Sequence, residues 1–232
     1  MWQRTTLMCL CLAGFLPAVA AAAPIPLDDF EDGTVENWFA GGGPVGGVHP
    51  APPANVVNGG PLGPGDNYML LTSLGGAGAG SRMVAMNGSQ WAGDYVAGGV
   101  SFIEMDLNNL GNTDLAVRLL FENPMGAPPT DIAISDDPFL LPAGGGWVHA
   151  TFPVTPADLV ALLGTATDAL SQTTILRIFH SPTDTFPGPP IVASLGVDNI
   201  TADAAPVAVP EPATLLLILP GAAALLARRR RR

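Results

Sequence analysis

The sequence contains no lysine, and the only basic residues between positions 24 and 209 are Arg82, Arg118 and Arg177. The same segment carries nineteen carboxylates, which gives it a formal net charge of −16. The whole chain is less negative, at −11, because six further arginines lie near its two ends. A domain this acidic repels phosphate backbones, so the composition argues against nucleic acid as a partner.

The familiar catalytic signatures are also absent. There is no Gly-x-Ser-x-Gly elbow and no His-Glu-x-x-His pair. His49, His149 and His180 are far apart, so only the fold could bring them together as metal ligands. Among nineteen carboxylates, a pair resembling the two catalytic carboxylates of a glycosidase can always be chosen, so their number identifies no active site. We therefore expect no enzymatic activity and keep a secreted hydrolase as the third hypothesis.

Cysteine is limited to Cys9 and Cys11, both inside a predicted signal peptide over residues 1–23. This segment has a positively charged start, an apolar run over residues 7–16 and a small-residue finish at residues 18–20. An uncleaved anchor is the alternative. After cleavage by signal peptidase the chain would contain no cysteine, so an exported domain would depend on its core, or on a metal ion, for stability.

The C-terminal residues 205–232 have three parts. The first is the extended segment Val209, Pro210, Glu211 and Pro212. The second is an uncharged apolar run over residues 213–227, which as a helix would rise about 22 Å, less than the roughly 30 Å of a bilayer core. The third is a cytoplasmic stop formed by Arg228, Arg229, Arg230, Arg231 and Arg232. So short a span suits a processed signal better than a permanent anchor.

This order of motif, apolar helix and arginine cluster resembles the PEP-CTERM sorting signal of Gram-negative bacteria. The resemblance implies recognition of residues 209–212 by an exosortase, passage through the inner membrane, and delivery to the cell envelope or the extracellular polymer. Such proteins usually come from species that make exopolysaccharide, which is therefore a possible partner. The resemblance covers only the tail.

Residues 24–204 are predicted to form one all-β domain. The whole sequence has 28 glycines and 24 prolines, which separate short apolar runs and leave little room for long helices. The predicted strands cover residues 27–31, 68–72, 82–86, 100–107, 115–122, 147–154, 174–180 and 191–201, with residues 55–57 as the candidate for a ninth. The extended residues 35–39 are expected to carry Trp38 toward the core. Eight or nine short strands with one small helix are typical of a β-sandwich, and we predict a jelly roll.

Several local features refine this prediction. Residues 100–107 and 115–122 are expected to form an antiparallel hairpin, with Arg118 on the face opposite the apolar side chains. The run Gly75–Gly80 lacks the Gly-Lys-Ser/Thr end of a phosphate loop and is predicted to be a hairpin connection. Thr155 as N-cap and Pro156 at the first position predict a short helix over residues 156–163.

The opening Asp-Phe-Glu-Asp-Gly and the closing Gly-Val-Asp-Asn-Ile are similar to the first and last strands of galactose-binding-like jelly rolls, which include many carbohydrate-binding modules. The resemblance implies that these two strands lie side by side and hold a structural Ca²⁺. The matching ligands would be Glu31 and Asp198, with Asp29 as a spare. Solvated acids at strand ends are the alternative interpretation.

Sugar binding requires exposed aromatic rings beside polar groups. After removal of the signal peptide, the only Trp and Tyr residues are Trp38, Trp91, Trp147, Tyr68 and Tyr95. Trp38 and Trp147 fall in predicted strands, so we expect them in the core. Trp91 and Tyr95 fall in a loop-like stretch and are the candidate sugar-binding residues. The first hypothesis is thus an exported, non-enzymatic β-sandwich with a structural or matrix-binding role, and the alternative is a carbohydrate-binding module.

Overall fold

A computed structural model describes residues 26–41, 49–124 and 128–204. The predicted signal peptide and the sorting segment, including residues 209–212 and 228–232, lie outside the described residues. Within the described ranges, no helix is both long enough and apolar enough to cross a membrane.

The described chain is almost entirely β-structure. It contains twelve strands, and their bounds are β1 Leu27–Asp28, β2 Ala54–Val56, β3 Tyr68–Leu74, β4 Val84–Asn87, β5 Val100–Asn109, β6 Leu115–Asn123, β7 Asp131–Ser135, β8 Phe139–Leu141, β9 Trp147–Pro153, β10 Leu159–Leu163, β11 Ile175–His180 and β12 Val192–Ala204. A 3-10 turn, Pro156–Asp158, precedes β10, and one short helix, α1 Ala166–Ser171, follows it.

The strands form two antiparallel sheets packed as a sandwich. Sheet A has the order β2-β3-β12-β5-β9, with β1 paired to β12. Sheet B has the order β10-β7-β6-β11-β4, with β8 paired to β6. This confirms the predicted all-β, jelly-roll-like sandwich with one short helix.

The core lies between the sheets and follows the alternation of the strands. On β6, Val117, Leu119 and Phe121 point inward and are fully buried. On β9, Ala150 and Phe152 do the same, as their spacing predicted. The opposite face of β6 is also buried, because the segment between β11 and β12 packs over it.

The first and last strands pair as the jelly-roll resemblance implied. Leu27 lies opposite Thr201 and Asp28 opposite Ile200. The first strand is shorter than predicted because Phe30 adopts a left-handed φ of 57°, which ends the extended backbone. Residues 35–39 form no strand, and only Phe39 makes an isolated bridge to Met86.

The predicted hairpin of β5 and β6 is wrong. Strand β5 pairs with β12 and β9 in sheet A, whereas β6 pairs with β11, β7 and β8 in sheet B. Each strand has a strongly apolar face, and the two faces pack against each other across the core instead of lying edge to edge. The Asn109 side chain stabilises the crossing by donating to the Thr113 and Leu141 carbonyls at 2.9 and 3.0 Å. Gly75–Gly80 likewise joins β3 of sheet A to β4 of sheet B, so it is not a hairpin connection.

The predicted helix over residues 156–163 is also wrong beyond its first turn. Thr155 is the N-cap of this turn, as predicted, and its N–H donates to Asp158 Oδ2 at 3.1 Å. From Leu159 onward the chain instead forms β10 and pairs with β7, because Val160 and Leu162 pack against the apolar cluster on the outer face of sheet B. Strands β7 and β8 were not predicted, because the glycines and prolines of residues 123–146 hide their short apolar runs. Helix α1 was missed as well; its N-cap, Thr165, accepts from the Asp168 N–H at 3.0 Å.

Candidate functional site

Trp91 and Tyr95 are buried, so the prediction that they are exposed in a loop is wrong. Trp91 is 1% exposed and Tyr95 7% exposed. The Trp91 indole donates to Asp28 Oδ2 at 2.6 Å, and the Tyr95 hydroxyl donates to the Trp91 carbonyl at 2.8 Å. Burial raises the pKa of Tyr95. Neither ring offers a free face on which a sugar could stack.

Asp28 is the centre of a buried hydrogen-bond network. Its carboxyl group accepts from the indoles of Trp38 and Trp91 at 2.7 and 2.6 Å and from the Gln90 amide at 3.1 Å. Burial, together with the charge of Asp28, raises the pKa of nearby Glu36 to about 8. Glu36 therefore keeps its proton at neutral pH. Trp38 is in the core, as predicted, and the network fixes the first strand to the sandwich.

Asp198 lies in a group of carboxylates beside the first and last strands. It is 1% exposed, and its Oδ2 has no hydrogen-bond partner among the described residues. Burial raises the pKa of Asp198 to about 7, and the charges of Asp66, Asp106 and Glu31 add to this effect. A buried carboxylate oxygen without a partner is uncommon and needs an explanation.

The other two predicted metal ligands each accept a hydrogen bond from a backbone N–H group. Glu31 Oε1 accepts from the Asn67 N–H at 2.7 Å, and Asp29 Oδ1 accepts from the Glu31 N–H at 3.2 Å. No three His, Cys, Asp or Glu side chains in the described part of the chain are close enough to hold one metal ion. The unpartnered oxygen of Asp198 fits a hard cation, but backbone carbonyls would have to complete the ligand set.

The outer face of sheet A carries a pair of aromatic rings. Trp147 and Tyr68 are half-buried, with their centroids 5.3 Å apart in an edge-to-face arrangement. The Trp147 indole donates to the Gly59 carbonyl at 2.8 Å. A Cβ on Gly196 would lie 2.9 Å from Trp147 Cη2 and 3.3 Å from Tyr68 Cδ2, so the rings lie close against the bare backbone of this glycine. The expectation that Trp147 is a core residue is therefore wrong.

The pattern of β9 contained the signal that would have placed Trp147 correctly. If Val148, Ala150 and Phe152 face the core, strand alternation puts Trp147, His149 and Thr151 on the opposite face. The same alternation, with Met69 and Leu71 buried, places Tyr68 on that face too. The alternation of the strand, and not the general preference of tryptophan for the core, decides the position of Trp147.

Polar side chains continue this face beside the aromatic pair. Asp106 Oδ1 lies 3.0 Å from His149 Nδ1, and Asp106 Oδ2 accepts from the Asn199 amide at 2.9 Å. Glu104 Oε1 accepts from the Thr151 hydroxyl at 3.1 Å. The His149 side chain is 57% exposed, so it is accessible to a ligand. Rings next to accessible acceptors and donors are what a sugar-binding surface requires.

The three histidines do not form a metal site. His49 Nδ1 accepts from the Ala51 N–H at 3.1 Å, and His180 Nδ1 accepts from the Ala116 N–H at 3.0 Å. Burial lowers the pKa of His180. Only His149 lies on the outer face of sheet A.

The described residues form a two-sheet β-sandwich of the jelly-roll type, and the solved structures with a similar fold include carbohydrate-binding modules. No family model matches the chain. No curated protein sequence matches it either.

Three solved structures illustrate the likeness. The family 11 carbohydrate-binding module of cellulase Lic26A-Cel5E from Clostridium thermocellum has 15% identity and a TM-score of 0.51, over 80% of this chain and 97% of that one. A family 11 module from the same organism, in complex with a β-1,3-1,4-mixed-linked tetrasaccharide, has 16% identity and a TM-score of 0.50, over 77% and 94%. An exo-β-agarase has 13% identity and a TM-score of 0.52, over 79% of this chain and 25% of the enzyme. At these identities the likeness shows the fold.

Proposed function

We propose that this domain is a carbohydrate-binding module that binds a polysaccharide on the outer face of sheet A. The observation that carries the proposal is the half-buried pair Trp147 and Tyr68 beside exposed His149. The structural neighbours, several of which are carbohydrate-binding modules, support it. In this account the domain is non-catalytic and serves to hold its host protein on a glycan.

The geometry suits stacking of a sugar ring. Because Gly196 has no side chain, the rings of Trp147 and Tyr68 can lie low on the sheet. The Gly59 carbonyl accepts a hydrogen bond from the Trp147 indole N–H, which fixes the ring in place before a ligand binds. Because the ring is already ordered, the entropy cost of binding is lower. Asp106 and His149 then offer hydrogen bonds to hydroxyl groups next to the stacked ring.

Affinity electrophoresis through gels containing mixed-linkage glucan, xylan or agarose would test the proposal. We expect at least one polysaccharide to retard the wild-type domain, and we expect Trp147→Ala to abolish this retardation. The matched control is Leu140→Ala, which removes a side chain that is 72% exposed on β8 of sheet B. Retardation of Trp147→Ala equal to that of the wild type would contradict the site. An equal loss of retardation in Leu140→Ala and Trp147→Ala would contradict it as well.

We propose further that the domain is exported and then sorted by its C-terminal segment. Support comes from the sequence alone: the apolar N-terminal run, the motif at residues 209–212 and the five arginines at 228–232. In this account signal peptidase and an exosortase process the two ends, with the inner membrane as an intermediate location. Mass spectrometry of the protein from its host would read both cleavage points, and an intact chain recovered from the cytosol would contradict the proposal.

A structural Ca²⁺ beside β1 and β12 is a separate proposal. The unpartnered Oδ2 of Asp198 and the nearby carboxylate of Glu31 support it. An ion that binds only the folded state would stabilise a domain that has no disulfide. We expect EDTA to lower the melting temperature of the wild type but not of Glu31→Ala, with exposed Asp203→Ala as the control that stays sensitive. An unchanged wild-type melt would remove the ion from the account.

A further inference from the structure

All three arginines in the described part of the chain contact one segment. This segment, residues 181–190, is called the strap here; it joins β11 to β12 and packs on the outer face of sheet B. Arg118 donates to the Ser181 carbonyl at 3.0 Å and pairs with Asp184 at 2.9 Å. The three arginines of this acidic domain therefore lie on the same side of the sandwich.

The other two arginines hold the far end of the strap. Arg82 Nε donates to the Gly188 carbonyl at 2.6 Å. The guanidinium of Arg177 lies 5.3 Å from the centre of the Phe186 ring. Phe186 in turn packs edge-to-face on Phe179, with the centroids 5.3 Å apart. Both arginines are therefore held in position by the strap.

A cleft of about 300 Å³ opens between the strap and the turn that precedes β4. Its walls are largely apolar, and its two guanidinium groups are the strongest polar features. The lining residues that matter here are Arg82, Val84, Met86, Arg177, Phe186 and Pro187. The volume is at the lower end of the range for small-molecule sites, which suits one sugar unit better than a chain.

Of the two arginines in this cleft, Arg82 is the one with unused binding capacity among the described residues. Arg177 is already paired with Glu122 at 2.5 Å, and its Nη1 faces Met86 Sδ at 3.1 Å, a weak acceptor. Arg82 uses only Nε, and its two terminal nitrogens have no acceptor among the residues that the structure describes. Two such N–H groups on one guanidinium match the two oxygens of a carboxylate.

The charge of the lining distinguishes this cleft from two clefts near β1. It contains no Asp or Glu. Two other clefts near β1 are lined by Asp94 in one case and by Asp28, Asp32 and Glu36 in the other, and neither contains an arginine. An anion would be repelled from those two clefts but could enter the one beside Arg82.

We propose that this cleft binds a single uronic acid unit within a polysaccharide. The carboxylate pairs with the terminal nitrogens of Arg82, and the apolar face of the sugar ring lies against Phe186 and Pro187. The sugar part of this inference rests on the proposed carbohydrate-binding function. Recognition of the carboxylate is independent of Trp147 on sheet A.

Isothermal titration of the domain with glucuronate, galacturonate and glucose tests the proposal. We expect at least one uronate to bind at about 50 mM NaCl, and we expect its affinity to fall as the salt concentration rises to about 500 mM. Glucose should not bind. Arg82→Gln should weaken uronate binding at least about tenfold, and Arg82→Lys should recover only part of it, since a lysine cannot bind both oxygens in a fixed fork.

The variant Trp147→Ala separates this inference from the proposed function. Uronate binding that survives Trp147→Ala but not Arg82→Gln supports a second site. Unchanged uronate affinity in Arg82→Gln, equal binding of glucose, or no uronate binding by the wild type overturns it. None of these three results affects the proposed site on the outer face of sheet A. That site is tested separately, by retardation of the wild type in a neutral polysaccharide and by loss of this retardation in Trp147→Ala.

Discussion

Replacing Asp28 by asparagine should destabilise the domain strongly, although the two side chains have nearly the same shape. Asp28 is 2% exposed and accepts two indole N–H groups and the Gln90 amide. An asparagine could keep both indole bonds at its single oxygen, but only as neutral hydrogen bonds. Its NH₂ group would then oppose the donating Gln90 amide.

The magnitude follows from these contacts. Replacing a charged acceptor with a neutral one costs about 1 kcal/mol at each indole, and an unpaired buried donor costs about 1 kcal/mol or more. We therefore expect Asp28→Asn to lower the free energy of unfolding by about 3 kcal/mol. For a domain of this size, that corresponds to a fall of roughly 6 to 12 °C in melting temperature.

Urea unfolding followed by tryptophan fluorescence would measure this change. The matched control is Asp32→Asn, because Asp32 is exposed in the turn after β1 and, among the described residues, accepts only from the neighbouring Thr34. We expect the control to change stability by less than about 0.5 kcal/mol. A loss below about 1 kcal/mol in Asp28→Asn would refute the idea that the carboxyl group organises this region.

Three further predictions follow from the same contacts. Because the pKa of Glu36 is raised from 4.5 to about 8 in the folded state, its contribution to stability is complete below about pH 4.5 and is lost as the pH rises through 8. Melting curves of the wild type and of Glu36→Gln across this range would check it. A melting temperature that rises with pH in the wild type but not in Glu36→Gln would contradict it. Gly196→Ala should displace the Trp147 ring, which lowers the free energy of unfolding by about 1 to 3 kcal/mol and weakens polysaccharide retardation. Unchanged retardation would show that the ring position is unimportant. Arg118→Ala should cost about 3 kcal/mol in urea unfolding, since it leaves the Ser181 carbonyl without its buried donor, and a loss under about 1 kcal/mol would contradict this.

Period-two alternation in the sequence predicted the features that depend on single strands. The inward faces of β6 and β9 follow from the spacing of Val117, Leu119 and Phe121, and of Ala150 and Phe152. The resemblance at the two ends of the domain implied that β1 lies beside β12, which the structure confirms. These features need only local information, since alternation decides which face of a strand is apolar.

Features that depend on distant partners were not predictable in the same way. Trp91 is buried because its indole reaches Asp28, which lies 63 residues earlier in the chain. The assignment of β5 and β6 to different sheets depends on their pairing with the distant strands β12 and β11, and no pattern within residues 100–122 records this. Likewise, the cleft beside Arg82 exists only because the strap folds back over sheet B.

The position of the glycan on the domain can be read from three indole N–H signals. After signal cleavage the chain contains only Trp38, Trp91 and Trp147, and the indoles of the first two are buried on Asp28. In a ¹H–¹⁵N titration with a polysaccharide that retards the domain, the account predicts that the Trp147 indole signal shifts in a saturable manner while the other two stay in place. Saturable shifts of the Trp38 or Trp91 signal with no change at Trp147 would contradict binding on the outer face of sheet A.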